Sequence, residues 1–181
     1  MTPDSERFVV ITGGPGSGKS TLIDHLHGMG YARSVEAGRG VIRDQMAIGG
    51  PALPWADRAL FAELMLSWEL RSYRMAAGSA EPVLFDRGVP DVVGYLRLEG
   101  LPVPDHVHTA AETFRYHRRV LIAPPWPEIY EQDGERTQSY AQAERTYESM
   151  VDVYTAYGYE LVHLPLVPVE ERARFVTDFL R

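Results

Sequence analysis

The sequence contains the run Phe8-Val9-Val10-Ile11-Thr12-Gly13-Gly14-Pro15-Gly16-Ser17-Gly18-Lys19-Ser20-Thr21. Residues 13–20 match G-x-x-x-x-G-K-[ST], a pattern whose backbone N–H groups surround nucleotide phosphates. The apolar residues 8–11 predict a buried strand, and residues 20–29 predict a helix with its apolar side chains on one face. A strand, a glycine loop and a helix in this order predict a phosphate-binding loop. A flexible turn between strand and helix is the less favoured interpretation.

The residues of this loop have distinct expected tasks. Lys19 is expected to reach the transferring phosphate as a catalytic residue, and Ser20 to place its hydroxyl on Mg²⁺. The N–H groups of the loop and the positive end of the helix are expected to stabilise the negative charge of the other phosphates. The predicted nucleotide-binding residues are Gly13, Gly14, Pro15, Gly16, Ser17, Gly18, Lys19, Ser20 and Thr21.

Lys19 is also the only lysine, and the other seventeen of the eighteen basic residues are arginines. An ammonium is compact enough to fit a tight ring of amides, whereas a guanidinium is planar and wide. The absence of a second lysine excludes the Asn-Lys-x-Asp motif with which Ras-type GTPases read guanine. Residues 164–168, after the fifth predicted strand, correspond to the segment with which related kinases often contact adenine, but their apolar side chains do not distinguish ATP from GTP.

Composition favours one globular domain over residues 1–181. The chain is 45% hydrophobic and 24% charged and has no cysteine, so it can bury a core without disulfides. Its net charge of −7 argues against a broad basic face for nucleic acid. The first seven residues are polar and no apolar stretch approaches a membrane span, so we expect no signal peptide, no membrane partner and a cytoplasmic location.

Strand-like and helix-like runs alternate along the chain. Such alternation predicts an α/β protein with a five-stranded parallel sheet flanked by helices. With the phosphate loop after its first strand, we expect the P-loop NTPase fold with a kinase-like short lid. The predicted strands are residues 8–11, 31–35, 82–85, 118–123 and 160–164. The predicted helices are residues 20–29, 36–47, 55–77, 90–98, 104–114, 138–157 and 169–180.

Asp86 follows the third predicted strand and is a second candidate catalytic residue. A carboxylate at the carboxyl end of a strand, near the strand that feeds the phosphate loop, lies where open α/β sheets bind ligands. Asp86 could hold Mg²⁺ through water, accept the proton of an attacking hydroxyl, or share both roles. Alternatively it caps the next helix or pairs with Arg87. No second acid follows Asp86, which disfavours ATPase machines that use such an acid to activate water.

The interval between the fourth strand and the next helix predicts a lid over residues 124–138. Small kinases use such segments to exclude water while the acceptor attacks. Arg136 lies in this interval and is the candidate for stabilising γ-phosphate charge in the transition state, with Arg145 as the reserve. A merely solvated Arg136 is an equally favoured interpretation.

Glu36, Arg39 and Arg43 form a third group of interest. Their spacing of three and seven residues puts them on one helix face, just after the second predicted strand. One carboxylate and two guanidiniums could read the hydroxyls and charge of an acceptor, although an ordinary salt-bridge ladder explains the same spacing. The six histidines have no cysteine or close carboxylate to complete a metal site and are expected to be structural or solvated.

Several of these motifs together resemble the AAA-like predicted ATPase domain family of P-loop kinase-like proteins, near ribosylnicotinamide kinase and the nucleoside and nucleotide kinases. They are the phosphate loop, Val-Glu-Ala-Gly-Arg around Glu36, Phe-Asp-Arg-Gly at Asp86, Ala-Pro-Pro-Trp-Pro at the start of the lid, and Gly-Tyr-Glu-Leu-Val before the last helix. The resemblance implies ATP with Mg²⁺ and an acceptor site formed by Glu36, Arg39, Asp86, Arg87 and Asp91.

Two functional hypotheses follow. The first is a small-molecule kinase that transfers the γ-phosphoryl of ATP to a metabolite hydroxyl, because a lid with one arginine disfavours a phosphate acceptor. The second is a nucleotide-dependent switch or slow ATPase that acts through a protein partner; a homo-oligomer is a separate possibility. Trp126, Tyr130 and the long helix at residues 55–77 suggest the second, and an exposed apolar stripe on that helix would favour it.

Overall fold

A computed structural model of the protein describes residues 5–130 and 139–181. In these residues five strands form one parallel sheet with the order β2-β3-β1-β4-β5. The predicted α/β class and the five-stranded parallel sheet are therefore confirmed. The strands are β1 (Phe8–Gly13), β2 (Ala32–Arg33), β3 (Val83–Asp86), β4 (Arg119–Ala123) and β5 (Glu160–His163).

Helices connect the strands and cover both faces of the sheet. Among the helices of the described residues, none combines the length and the apolar character needed to cross a membrane. Two short 3-10 helices, Ser5–Arg7 and Pro127–Ile129, precede β1 and follow β4. The α-helices are α1 (Lys19–Gly28), α2 (Ala37–Ile48), α3 (Arg58–Ala76), α4 (Val89–Leu98), α5 (Asp105–Thr113), α6 (Tyr140–Ala156) and α7 (Val169–Phe179).

The core consists of two layers because strand side chains alternate between the two faces of a sheet. Phe8 and Val10 of β1 point into the layer built with α2 to α6. Val9 and Ile11 point into the layer built with α1 and α7. All six residues of β1 are buried, as expected for a central strand of a parallel sheet.

The strand register brings the two main sequence motifs to the same edge. Ile11 of β1 pairs with Asp86 at the end of β3, and Gly13 pairs with Ala123 at the end of β4. The phosphate loop leaves β1 at this edge. The expected location beside the carboxyl ends of the strands therefore holds for both motifs.

Most element boundaries differ from the sequence predictions by one or two residues, and those of β2, α2 and α3 have a clear structural reason. β2 has two residues, both exposed at the edge of the sheet, instead of the predicted 31–35. Glu36 precedes α2 as its cap and is not part of the helix. α3 begins at Arg58 and not at Trp55, because the Asp57 side chain accepts a hydrogen bond of 2.9 Å from the N–H of Leu60 and caps the helix there.

Helix α3 packs its apolar face inside the protein. Phe61, Met65 and Leu66 are buried in the layer shared with α2 and α4, while Leu60 and Met75 reach solvent singly on this helix. Single exposed apolar side chains are normal for a soluble protein surface. The exposed stripe that would favour a protein-partner function is therefore not present on the described helix.

Candidate functional site

The phosphate loop closes on itself through its carbonyl oxygens. Lys19 Nζ donates a hydrogen bond of 2.6 Å to the carbonyl oxygen of Gly14, which also accepts one of 2.8 Å from Ser17 Oγ. Burial lowers the pKa of Lys19, and the positive charge of Arg87 lowers it further. The ammonium is thus held in the centre of the loop, where solvent does little to stabilise its positive charge.

Glycine is required at the top of this loop. Gly16 and Gly18 have φ angles of 73° and 76°, the left-handed region that other residues rarely adopt. A Cβ at Gly16 would overlap the ring of Tyr130, and one at Gly18 would lie 2.7 Å from Arg172 Nη1. The loop can therefore adopt this backbone beside Tyr130 and Arg172 only because both positions lack a side chain.

Asp86 ends β3 as a buried carboxylate. Its N–H donates a hydrogen bond of 3.1 Å to Ser34 Oγ, while its Oδ1 is buried and has no hydrogen-bond partner among the described residues. Burial raises the pKa of Asp86, and the nearby Glu36 raises it further. Asp86 is not among the residues that line the cavity described below.

Arg87 makes the sharp turn after Asp86. Its φ of 71° is unusual for a residue with a side chain, and such backbone costs about 1–3 kcal/mol where the surroundings impose it. The N–H of Arg87 donates to the carbonyl oxygen of Ile11 at 3.1 Å. The guanidinium then reaches Glu36 Oε1 at 3.2 Å through Nε and Asp91 Oδ1 at 3.0 Å through Nη1.

Asp91 is the structural centre of this network. Thr12 Oγ1 donates to its Oδ1 at 2.6 Å, and Tyr154 OH donates to its Oδ2 at 2.6 Å. The N–H of Gly88 also donates to Oδ2 at 3.0 Å, which caps α4. Because both carboxylate oxygens already have partners, Asp91 is arranged to orient Arg87.

Glu36 presents the accessible carboxylate of the group. Arg39 Nε lies 3.2 Å from its Oε2, on the side opposite Arg87. Burial alone would raise the pKa of Glu36, but the charges of Arg87, Lys19 and Arg39 outweigh burial and lower it. Arg43, which shares the predicted helix face, pairs with Asp44 in solvent and does not line the cavity.

A cavity of about 810 Å³ joins these groups. This volume lies within the range of about 300–1,000 Å³ that is common for small-molecule sites. The loop residues 15–21 form one wall, and Glu36, Arg39, Arg87 and Asp91 contribute to another. The structure therefore brings the predicted phosphate site and the predicted acceptor residues to one cavity, with Asp86 outside its lining.

The sequence interpretation missed two cavity residues that are both charged and buried. Glu69 of α3 is 2% exposed, and Arg172 of α7 is equally buried. Arg172 Nη1 donates to the carbonyl oxygen of Ser17 at 3.0 Å, whereas its Nε and Nη2 are buried without a partner in the described residues. Each is a charged residue on the apolar face of a helix, which is the signal that would have identified it.

The remaining sequence candidates divide between the cavity and other places. Arg136 lies outside the described residues, so the structure says nothing of its position. Arg145 of α6 lines the cavity. His106 pairs with Glu63 at the surface. Within residues 5–130 and 139–181, no group of three or more acidic or histidine side chains is arranged to hold a metal ion.

Known structures share this architecture. NadR protein in complex with NR aligns over 97% of this chain and 51% of that chain, with 16% sequence identity and a TM-score of 0.72. This chain thus spans about half the length of that NadR chain. Deoxyadenosine kinase from M.mycoides, bound to the products dCMP and dCDP, aligns over 96% of this chain and 98% of that chain, with 12% identity and a TM-score of 0.67.

The same deoxyadenosine kinase with bound dATP aligns with 15% identity over 96% of this chain and 98% of that chain, with a TM-score of 0.57. At these identities the likeness shows the fold, which is that of the P-loop kinases. A comparison with curated proteins found no match. A family model described as an AAA domain matches residues 8–172. The protein therefore belongs to this AAA domain family, as the sequence motifs predicted.

Proposed function

We propose that the protein is a kinase that transfers the γ-phosphoryl group of ATP to a hydroxyl of a small molecule. One observation carries this proposal: the phosphate loop and the ionised Glu36, held by Arg87, line the same cavity. Phosphoryl transfer needs both reactants aligned in one water-poor site more than it needs covalent help from the protein.

The nucleotide would bind at the loop from Gly13 to Thr21. Backbone N–H groups and the amino end of α1 would face its phosphates. A polyphosphate beside Lys19 would favour the charged ammonium and so reverse the pKa lowering that burial causes. Lys19 would then exchange its contact with the Gly14 carbonyl for a phosphate oxygen, which supports a direct role in transfer.

The residues present also fit Mg²⁺. Ser20 follows Lys19 at the position whose hydroxyl suits the metal, and the buried Oδ1 of Asp86 is an oxygen ligand with no protein donor in the described residues. When bound, Mg²⁺ would neutralise charge on the transferring phosphate. We assign Asp86 to hold metal-bound water, because its Oδ1 has no protein donor in the described residues and Asp86 is not among the residues that line the cavity.

The acceptor would lie against Glu36, Arg39 and Arg87. Glu36 is ionised and lines the cavity, so it is better placed than Asp86 to accept the proton of an attacking hydroxyl. Asp91 would hold Arg87 in position. Residues 124–138 would form the lid of this single domain, with Arg136 meeting charge on the γ-phosphate and Arg145 as the alternative.

The test is ADP formation from ATP in the presence of nucleosides, sugars and vitamins. A true acceptor should raise the rate, and Asp86→Asn should lower the stimulated rate by about 100-fold or more while ATP binding persists. Asp105→Asn, an exposed change on α5 outside the cavity, is the matched control. If no compound in the panel raises ADP formation above the rate with ATP alone, the kinase proposal fails.

A further inference from the structure

Glu69 occupies an unusual place for a carboxyl group. It lies in the middle of α3, is 2% exposed and lines the cavity. No hydrogen bond or ion pair to its side chain occurs among the residues that the structure describes. Since Glu69 lines the cavity, a ligand bound there could supply the hydrogen-bond partner that the described residues do not.

Apolar side chains form part of the cavity that Glu69 lines. Phe61 and Met65 precede it by eight and four residues on the same face of α3, and Val92 and Tyr95 of α4 line the same cavity. The ring of Phe61 meets that of Tyr95 edge-on at 5.3 Å. The hydroxyl of Tyr95 is also buried without a partner in the described part of the chain.

Burial and the nearby carboxylates favour the neutral form of the Glu69 carboxyl. Burial raises the pKa of Glu69 well above its usual value, and Asp91, Asp86 and Glu36 raise it further. Arg87 acts in the opposite direction, but its guanidinium is already paired with Glu36 and Asp91. A neutral carboxyl presents an O–H donor beside a C=O acceptor in one plane.

We propose that the Glu69 carboxyl forms two parallel hydrogen bonds with an uncharged planar group of the acceptor, in which a donor and an acceptor atom lie side by side as in a carboxamide. This inference rests on the proposed function only in treating the cavity ligand as the acceptor. The apolar walls from Phe61 and Met65 would pack against the flat body that carries such a group.

Benzamide and benzamidine are matched probes for this site. They have the same shape, but benzamide is neutral with one donor and one acceptor side, whereas benzamidine is a cation with donors only. Binding to the full chain is measured by ligand-observed NMR or calorimetry, and neither measurement needs catalysis. We expect benzamide to bind at least about tenfold more tightly than benzamidine. Tighter binding of benzamidine, or no binding of benzamide, would overturn the proposal.

Two variants separate recognition from packing. Glu69→Gln keeps a donor beside an acceptor and should hold benzamide within about threefold of the wild type. Glu69→Met keeps length but removes hydrogen bonding, so it should weaken benzamide at least about tenfold without lowering the melting temperature. Glu63→Gln, exposed on the same helix, is the control. A melting temperature lowered in Glu69→Met, or benzamide binding unchanged by it, would contradict recognition by Glu69.

These results are independent of the kinase test. Benzamide binding that depends on Glu69 with no acceptor-stimulated ADP formation would reject the proposed reaction and keep the recognition site. Stimulated ADP formation that is insensitive to Glu69→Met would keep the proposed reaction and reject recognition of the acceptor by Glu69.

Discussion

Lys19 lies within a ring of its own backbone, 2.6 Å from the Gly14 carbonyl oxygen and 3.3 Å from Ser17 Oγ. The contacts are short because the ammonium is small, and the side chain is 7% exposed. A guanidinium has three nitrogens in a plane and needs a wider space. The loop is therefore matched to lysine by size as well as by charge.

The fit between the loop and the Lys19 ammonium can be tested by substitution. Lys19→Arg keeps the positive charge but should weaken binding of Mg²⁺ and ATP at least about tenfold, because the guanidinium does not fit the ring. Isothermal calorimetry measures the affinity, and acceptor-stimulated turnover should be lost with it. The reverse exchange at an exposed position, Arg174→Lys on α7, is the control. Unchanged affinity in Lys19→Arg would mean that the loop does not hold phosphate as argued.

Residue roles were predictable where a motif is local and not where partners are distant. The run that contains Lys19 spans a few residues, so its chemistry follows from the sequence. Asp91 instead receives hydrogen bonds from Thr12 and Tyr154, which are 79 and 63 residues away. No spacing rule joins such positions. Asp91 was expected among the acceptor contacts, and the hydrogen bond that its Oδ1 accepts from Arg87 could not be predicted in addition.

At the scale of elements, the contact of α2 with α3 sets one wall of the cavity. The ring of Trp68 lies directly over Gly40, and its Nε1 donates to the carbonyl oxygen of Val35 at 3.1 Å. A Cβ at Gly40 would overlap this ring. Gly38, two residues earlier, has room for a methyl group, because a Cβ there would lie 3.5 Å from its nearest neighbour, Glu36 Oε1.

A matched pair of substitutions tests this contact. Gly40→Ala should lower the free energy of unfolding by about 1–3 kcal/mol, because the methyl group forces Trp68 away. Gly38→Ala should instead raise it by about 0.5 kcal/mol, because alanine favours helix and meets no obstacle. Urea unfolding of both variants measures the difference. Equal effects of the two changes would show that the helices are not packed as described.

Element boundaries were less predictable than element types. Burial on both faces makes β1 and β3 continuous apolar runs, which the sequence displays directly. β2 lies at the edge and is exposed, so it has no such pattern and its length was overpredicted. The start of α3 was misplaced because Trp55 suited the helical periodicity, although Asp57 is a strong cap and could have corrected it.

At the scale of the whole molecule, the phosphate loop is supported by the helix that comes last in the chain. Arg172 is 155 residues from Ser17, yet its guanidinium donates to the Ser17 carbonyl and lies 5.6 Å from the ring of Trp126. Burial lowers the pKa of Arg172, and no carboxylate of the described residues pairs with it. A buried cation without a counter-ion beside this loop favours an anionic ligand.

Arg172→Met should therefore weaken ATP binding about tenfold, because the variant loses positive charge beside the loop and the contact that holds it. Acceptor affinity, measured by calorimetry in the absence of ATP, should not change. Arg174→Met on the exposed face of α7 is the control. An ATP affinity equal to that of the wild type would mean that Arg172 serves packing alone.

The single buried lysine also makes the protein suited to selective covalent labelling. In the protein without nucleotide, the lowered pKa of about 7 leaves part of the Lys19 amine uncharged near neutral pH, while the surrounding loop excludes bulky reagents from it. An acyl phosphate attached to a nucleotide would carry its reactive carbonyl into the loop and acylate this amine. Since the chain has no other lysine side chain, every acylated lysine would be Lys19. Mass spectrometry of a single peptide would thus reveal which nucleotides compete for the loop in a crude mixture.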